Sequence, residues 1–289
     1  MEKKQVTKWN QLQTIQRSED VIINNNVNYF TGRVENVLSD VRTKLIVMIE
    51  EYKTTHKTNV IDFEMLLQDK VRIENLLYET GYYDYVTDFI AAESKIIDKI
   101  AAEYAIFNHK LRFTDTSMIA IKELQKNSIV TFQGIGQKAT NMIYKGLYSS
   151  LLTTIPYDET IKNLSKIIDE TDLKKYAKTY ANTSYMRFNR TVNAVTSQDT
   201  GWNNFLYSGP IDGKMRPFCA VHIGETREKE SIQKMDNGQT SNVFIDGGGY
   251  NCRHKWNNVP PDFKLSEADT QGIKRQMAIV EEQKLLKAA

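Results

Sequence analysis

The residues in this sequence with the clearest capacity for chemistry are its two cysteines, Cys219 and Cys252, and the histidines beside them. They read as Cys219-x-x-His222 and Cys252-Arg253-His254, inside one 36-residue window with 29 residues between the pairs. Two ligand pairs at that separation are the arithmetic of a four-ligand zinc site. Thiolate and imidazole donors suit zinc better than magnesium or calcium. On a strand, side-chain alternation would point Cys252 and His254 to the same side. The same residues also fit cysteines buried as small apolar groups, or a single disulfide. Whichever holds, the pairs are expected to meet, with the two sulfurs no more than about 8 Å apart, since neither a metal nor a disulfide spans more.

Glycines flank this set. Gly247-Gly248-Gly249 stands directly before Tyr250-Asn251-Cys252-Arg253-His254. Such a run permits positive φ and close backbone approach, so it predicts a tight reversal; a phosphate nest is its other use. Asp212 is the nearby carboxylate to test as a general base if a bound metal left a coordination position open. Asp212-Gly213 otherwise reads as turn chemistry, and Arg216 offers a planar fork of donors to carbonyls or a carboxylate. The sequence holds no Gly-x-Ser-x-Gly elbow, no His-Glu-x-x-His and no P-loop. Gly134-x-Gly136 lacks a third glycine, a preceding strand and a following lysine, so it predicts a hinge or kink between helices. From these patterns a catalytic role is not expected.

Charge gives a second, weaker signal. The whole chain carries 38 basic against 36 acidic residues, which argues neither for nor against nucleic acid. Between Lys174 and Arg227, however, eight basic residues face three acidic ones, with Tyr176, Tyr180, Tyr185, Phe188, Trp202 and Tyr207 interleaved. Lys174, Lys175, Lys178, Arg187 and Arg190 could meet DNA phosphates. A solvated helix face with its aromatics in the core explains the same pattern.

The elements that must position these residues are mainly helices. Val34, Val37, Leu38, Val41, Leu45, Met48 and Ile49 recur at three- and four-residue steps, an apolar helical stripe. Asp62 could cap a second helix that stops at Gly81, and Asp115 or Thr116 starts another. Pro156 opens a further helix with Asp158 and Glu159 in its first turn, where carboxylates suit the helix dipole. The next is expected from Asp172 to about Thr200, ended by Gly201. After that the texture changes: short strands are expected at Trp202–Tyr207, Val243–Ile245 and Cys252–Trp256. Pro260-Pro261 closes this part, and an exposed amphipathic helix follows. The class is mostly α. Three stretches are expected: a helical region over 1–155, a small α+β module carrying the Cys/His set over 156–262, and a tail helix over 263–289. No apolar run approaches the roughly 20 residues that span a bilayer. No h-region of about 7–15 apolar residues follows the N-terminus, so reduced thiols in a cytoplasm are expected.

One ordered set of residues resembles a known family. It runs from Ala181-Asn182-Thr183-Ser184-Tyr185-Met186-Arg187-Phe188-Asn189-Arg190 through Trp202 to Asp212-Gly213-Lys214-Met215-Arg216-Pro217-Phe218-Cys219. It continues with His222-Ile223-Gly224 and closes with Gly248-Gly249-Tyr250-Asn251-Cys252-Arg253-His254-Lys255-Trp256. In this order, over about residues 155–262, it is similar to the phage head-morphogenesis family that includes Mu F-type minor head proteins. The resemblance implies that Thr183, Asp212, Arg216, Gly224, Gly248, Gly249 and Arg253 form a structural motif. It also implies a low-copy virion component inside the head or near the portal vertex, made in the host cytoplasm. Such a component would contact portal or major capsid protein, with packaged DNA as a further partner and no membrane. The competing expectation is a metal-dependent nuclease, or another DNA-processing enzyme, using Cys219, His222, Cys252 and His254. Four closed protein ligands would leave such an enzyme no room for water.

Overall fold

Of the five prolines, four stand at or beyond Pro210, so almost nothing interrupts helices in the first two-thirds of the chain. The computed structural model describes residues 7–55, 63–153 and 155–288. Its helices are α1 Lys8–Thr55, α2 Phe63–Glu79, α3 Tyr82–Ala91, α4 Ser94–Ala105, α5 Asp115–Leu152, α6 Tyr157–Glu170 and α7 Asp172–Thr200. The last third adds β1 Asn204–Ser208, α8 Pro217–His222, β2 Thr226–Glu228, α9 Lys229–Gln233, α10 Val243–Asp246, β3 Lys255–Val259 and α11 Glu267–Ala288. The chain is mostly α, with one small antiparallel sheet ordered β2-β1-β3. No described helix is long and apolar enough to cross a membrane. The expected cap Asp62 lies outside the described residues.

The residues divide into two compact units that interleave along the chain. Among the described residues, one gathers those within 26–92 and 126–181; the other gathers those within 1–25, 93–125 and 182–289. The stretches expected from the sequence, with bounds at 155 and 262, were divisions by motif and composition along the chain.

In the first of these units the α1 stripe is core: all seven residues from Val34 to Ile49 named above are buried. Phe30, Phe89 and Phe132 meet beside it, with ring centroids 4.7–5.6 Å apart. Gly81, at φ 77°, ends α2 as expected. The Gly134-x-Gly136 hinge is not there, because α5 runs unbroken from Asp115 to Leu152. Gly136 instead lets a neighbour come close: a Cβ on it would lie 2.8 Å from the Tyr82 ring and 2.9 Å from Leu77 Cδ1. Tyr82 Oη donates to the Phe132 carbonyl at 2.9 Å from the same spot. Gly134 faces open space.

In the other unit, β1 is the central strand and is buried on both faces. Its alternation sends Phe205 and Tyr207 toward Cys219, Phe244, Cys252 and Trp256, and Leu206 toward Leu12, Val259 and Ile273. β3 pairs with it in the register Tyr207↔Trp256. Lys255 on β3 is buried with its charge met: Nζ lies 2.7 Å from Glu19, 2.9 Å from Glu103 and 3.2 Å from Asn189 Oδ1. A charge taken from water survives only with such partners.

Two expected strands are corrected. Val243–Ile245 is the start of α10, capped by Asn242, whose Oδ1 accepts from Ile245 N–H at 3.2 Å. Periodicity cannot separate a strand from a helical turn in so short an apolar run, and the capping asparagine decides it. The third strand begins only at Lys255, so Cys252 and His254 stand in the loop before it. Strand alternation therefore does not orient them. α11 forms where expected; Ile273 and Val280 are buried and Ile279, Leu285 and Leu286 are exposed.

Two outcomes follow for stability. Gly136→Ala should destabilise by about 1–3 kcal/mol through overpacking. Gly134→Ala should stabilise by up to about 1 kcal/mol, since only helix propensity changes; urea melts of both variants separate the two. The second concerns Glu93, fully buried, whose Oε1 accepts from Ser184 at 2.9 Å. Burial pushes its carboxyl from 4.5 up to about 8 against that hydrogen bond. The folded protein thus keeps a proton the unfolded chain has lost, and this contribution fades as pH rises through that window. The thermal midpoint should fall between pH 5 and pH 8, and Glu93→Gln should flatten the fall.

Candidate metal centre

Three short segments bring the Cys/His set together. Arg216 is extended, Pro217 fixes the first position of α8, and two residues later Cys219 points inward, buried. α10 stops at Gly247, and Gly247 and Gly249 hold φ of 58° and 99°, values that favour glycine. Between them Gly248 passes so close to the sulfurs that a Cβ would sit 2.5 Å from Cys219 Sγ and 3.3 Å from Cys252 Sγ. The expected tight reversal is real, and it folds back from a helical turn.

Cys219 Sγ and Cys252 Sγ are 3.5 Å apart. The donor atoms of Cys219, Cys252 and His254 all lie within 4.8 Å of one another, and all three residues are buried. Main-chain N–H groups of Gly248 and His254 donate to Cys252 Sγ at 3.1 and 3.4 Å. The Cys219 hydrogen bond, with help from His254 and the Arg190 charge, holds the Cys252 thiol well below its usual range despite burial. The same hydrogen bond and burial push Cys219 up. The two sulfurs share one hydrogen bond at 3.5 Å, which favours the charged form at Cys252 and opposes it at Cys219. Tyr207 Oη adds contacts of 3.3 Å to Cys219 Sγ and 3.8 Å to Cys252 Sγ. The His254 ring stacks on Tyr207 at 5.7 Å and 17°, and among the described residues its Nε2 meets no hydrogen-bond partner.

His222, expected as the fourth ligand, is not in this group. Its Nδ1 is taken by Glu225 Oε2 at 2.8 Å in the turn after α8, and Arg227 Nε holds the same oxygen at 2.8 Å. A carboxylate three residues away reaches the ring at little cost in chain order.

Arg190 is the second correction. It is buried, not offered to DNA. Nε donates to the His254 carbonyl at 2.9 Å, Nη2 to the Cys252 carbonyl at 2.6 Å and Nη1 to the Ile245 carbonyl at 3.1 Å. Arg187 Nε is 2.7 Å from the buried Asp246 carboxylate. Lys174, Lys175 and Lys178 are exposed on the part of α7 that belongs to the other unit, with Lys174 3.4 Å from Glu35.

The remaining motif residues hold backbone. Arg253 Nη2 is 2.7 and 2.8 Å from the two Asp212 oxygens, and Asp212 Oδ1 accepts from Lys214 N–H at 2.9 Å. Burial opposes ionisation of Asp212, but these hydrogen bonds outweigh it and hold the carboxyl below its usual range. Arg216 donates to Gln239 Oε1 at 2.7 Å and to the Tyr250 carbonyl. Gly249 leaves room for that same Gln239, which a Cβ would meet at 2.2 Å. Gly224, at φ 83°, donates to the Tyr207 carbonyl at 2.9 Å. Thr183 Oγ1 accepts from Asn251 N–H at 3.5 Å, the weakest of these contacts.

Sequence reasoning did not find Tyr207, Gln239 or the duty of Arg190. Tyr207 carried a signal, since alternation in β1 faces it inward. Arg190 and Gln239 carried none that separates them from ordinary surface residues.

No protein-family model, no curated protein and no solved structure matches the chain.

Arg190→Ala would take the Arg190 donors from the buried Cys252 and His254 carbonyls and the part-buried Ile245 carbonyl, and should cost about 2 kcal/mol or more, at 1–3 kcal/mol for each buried unsatisfied group. Arg190→Lys keeps the charge but not the fork, and should recover less than half of the loss. Chemical denaturation reads the cost. A thiol reagent should label Cys219 and Cys252 of both variants faster than in the parent protein.

Proposed function

We propose that this chain is a structural minor head protein of a tailed phage, of the head-morphogenesis type. The observation that carries the reading is where the resembling residues fall. Asp212, Arg216, Cys219, Gly248, Gly249, Cys252, Arg253 and His254 come from distant places in sequence and converge on one knot. Asp212 and Arg216 hold main chain, Arg253 fastens Asp212, and Gly248 and Gly249 make room for the sulfurs and for Gln239. That is the use a structural motif makes of such residues, and it supports reading the ordered set as one unit.

In this reading Cys219, Cys252 and His254 hold zinc. The donor set is soft, dry and pre-arranged, with main-chain donors already turned on Cys252 Sγ. Zinc in such a place supplies folding energy to a module whose sheet is small. Catalysis is not part of the proposal: Asp212 is ionised and bound twice by Arg253, which suits a fastener rather than a general base. Partners are portal or major capsid subunits, in the head interior or at the portal vertex, after assembly in the host cytoplasm. Any contact with packaged DNA falls to Lys174, Lys175 and Lys178, since Arg187 and Arg190 are engaged.

Mass spectrometry of purified particles should detect the chain, and its absence from them overturns the assignment. Asp212→Ala should lower folding yield or head assembly without a separable chemical defect. Metal-dependent DNA cleavage by the parent protein, lost in a well-folded Asp212→Ala variant, would hand the function to the nuclease reading.

A further inference from the structure

Three protein donors do not complete a zinc site, which is four-coordinate when structural. Water is a poor fourth ligand here, because Cys219, Cys252 and His254 are 1%, 4% and 2% exposed. His222 is held elsewhere by Glu225. The polar atom that does face both sulfurs is Tyr207 Oη, on a residue with no exposed surface at all.

We infer that Tyr207 is the fourth ligand, so that the site is Cys219, Cys252, His254 and Tyr207. The inference rests on the metal reading of the cluster given above and adds a donor from β1. Distances carry it. Around a tetrahedral ion with metal–sulfur bonds of about 2.3 Å and metal–oxygen bonds of about 2.0 Å, sulfurs stand about 3.8 Å apart and oxygen about 3.5 Å from each sulfur. The observed separations are 3.5 Å for sulfur to sulfur, and 3.3 and 3.8 Å for oxygen to sulfur. Each edge of this triangle is within a few tenths of an ångström of a tetrahedral face.

Satisfaction of polar groups points the same way. A buried tyrosine hydroxyl usually finds an oxygen or nitrogen partner. Here its partners are sulfurs, which are weak acceptors. His254 Nε2, across the stacked ring, has none among the described residues. An ion between them would satisfy both. The strand also fixes Oη: Tyr207 N–H donates to the Glu225 carbonyl at 2.8 Å, its carbonyl accepts from Gly224, and its ring is 4.5 Å from that of Trp256. Coordination as thiolates and phenolate would release the Tyr207 proton and the thiol protons to solvent.

The test uses the full chain, purified without metal and titrated with cobalt(II), then with zinc against a chelator. The parent protein should take up cobalt with the strong visible bands of a tetrahedral site. Tyr207→Phe should weaken zinc binding at least about tenfold, the lower end of what even an outer partner is worth, and shift the cobalt bands. Tyr207→His, which offers a nitrogen from the same strand position, should restore part of both and shows whether the Phe variant merely misfolds. If the parent protein binds neither metal, the metal reading of the cluster fails and this one with it. If the parent binds tetrahedrally but Tyr207→Phe changes neither spectrum nor affinity, the cluster stands and the Tyr207 assignment alone is overturned. Bands that instead change in His222→Ala give the fourth position to His222.

Discussion

Loops that leave a sheet take main-chain carbonyls with them, and a buried carbonyl without a donor costs about as much as a lost hydrogen bond. The stretch from α10 to β3 has this difficulty in concentrated form. Its carbonyls at Ile245, Cys252 and His254 are turned inward, away from any ladder partner, and the Arg190 guanidinium serves all three. Glycine flexibility permits the loop's path, but the planar fork fixes it. Gly247 shows how closely the two are fitted, since a Cβ there would lie 2.8 Å from Arg190 Nη2. Cys252, the Gly248 donor and the His254 ring all sit on the loop that this one side chain holds, while Cys219 reaches them from α8. The same charge, close to Cys252, also favours its thiolate form. Arg190 thus holds the loop and adds its charge to the Cys219 hydrogen bond that chiefly lowers Cys252.

A second buried cation stands behind it. Lys255 begins β3 and meets Glu19 and Glu103, so the strand that receives the loop is anchored by charge as well as by its ladder to β1. Two carboxylates for one ammonium leave a surplus. Burial and the Glu19 charge push the Glu103 carboxyl up, while the Lys255 ammonium opposes them. Asn189, one residue before Arg190 on α7, touches the Lys255 ammonium. Neighbouring positions on one helix thus hold both the loop and the strand that follows it.

The long helices were legible because their signals are local. The α1 stripe, Gly81, Asp115 and the span from Asp172 to Thr200 each depend on spacing or on a terminating glycine, and the chain obeys them. The Gly134-x-Gly136 hinge misled because a glycine can serve packing as well as bending; only the Tyr82 ring, 54 residues earlier, tells which. Among the Cys/His residues, pairing by sequence brought the two sulfurs together correctly. It failed at His222 because Glu225, in the turn after α8, takes the ring nitrogen at 2.8 Å. Arg190 was placed among residues that could face DNA because a buried arginine and an exposed one look alike until the carbonyls they serve are known.

The interleaving of the two units has a consequence in time. Residues 26–92 and 126–181 are all available once position 181 has left the ribosome. The other unit must wait, because the start of α1 packs with β1, β3 and α11. Glu19 is 236 residues ahead of the lysine that neutralises it. At 5–20 residues per second that gap is roughly 10–50 s of synthesis. Throughout it the start of α1 carries Trp9, Leu12 and Ile23 without the strands that later cover Leu12. The order of translation therefore sets a vulnerable interval for the nascent chain, one that closes only when the last strand and the final helix arrive.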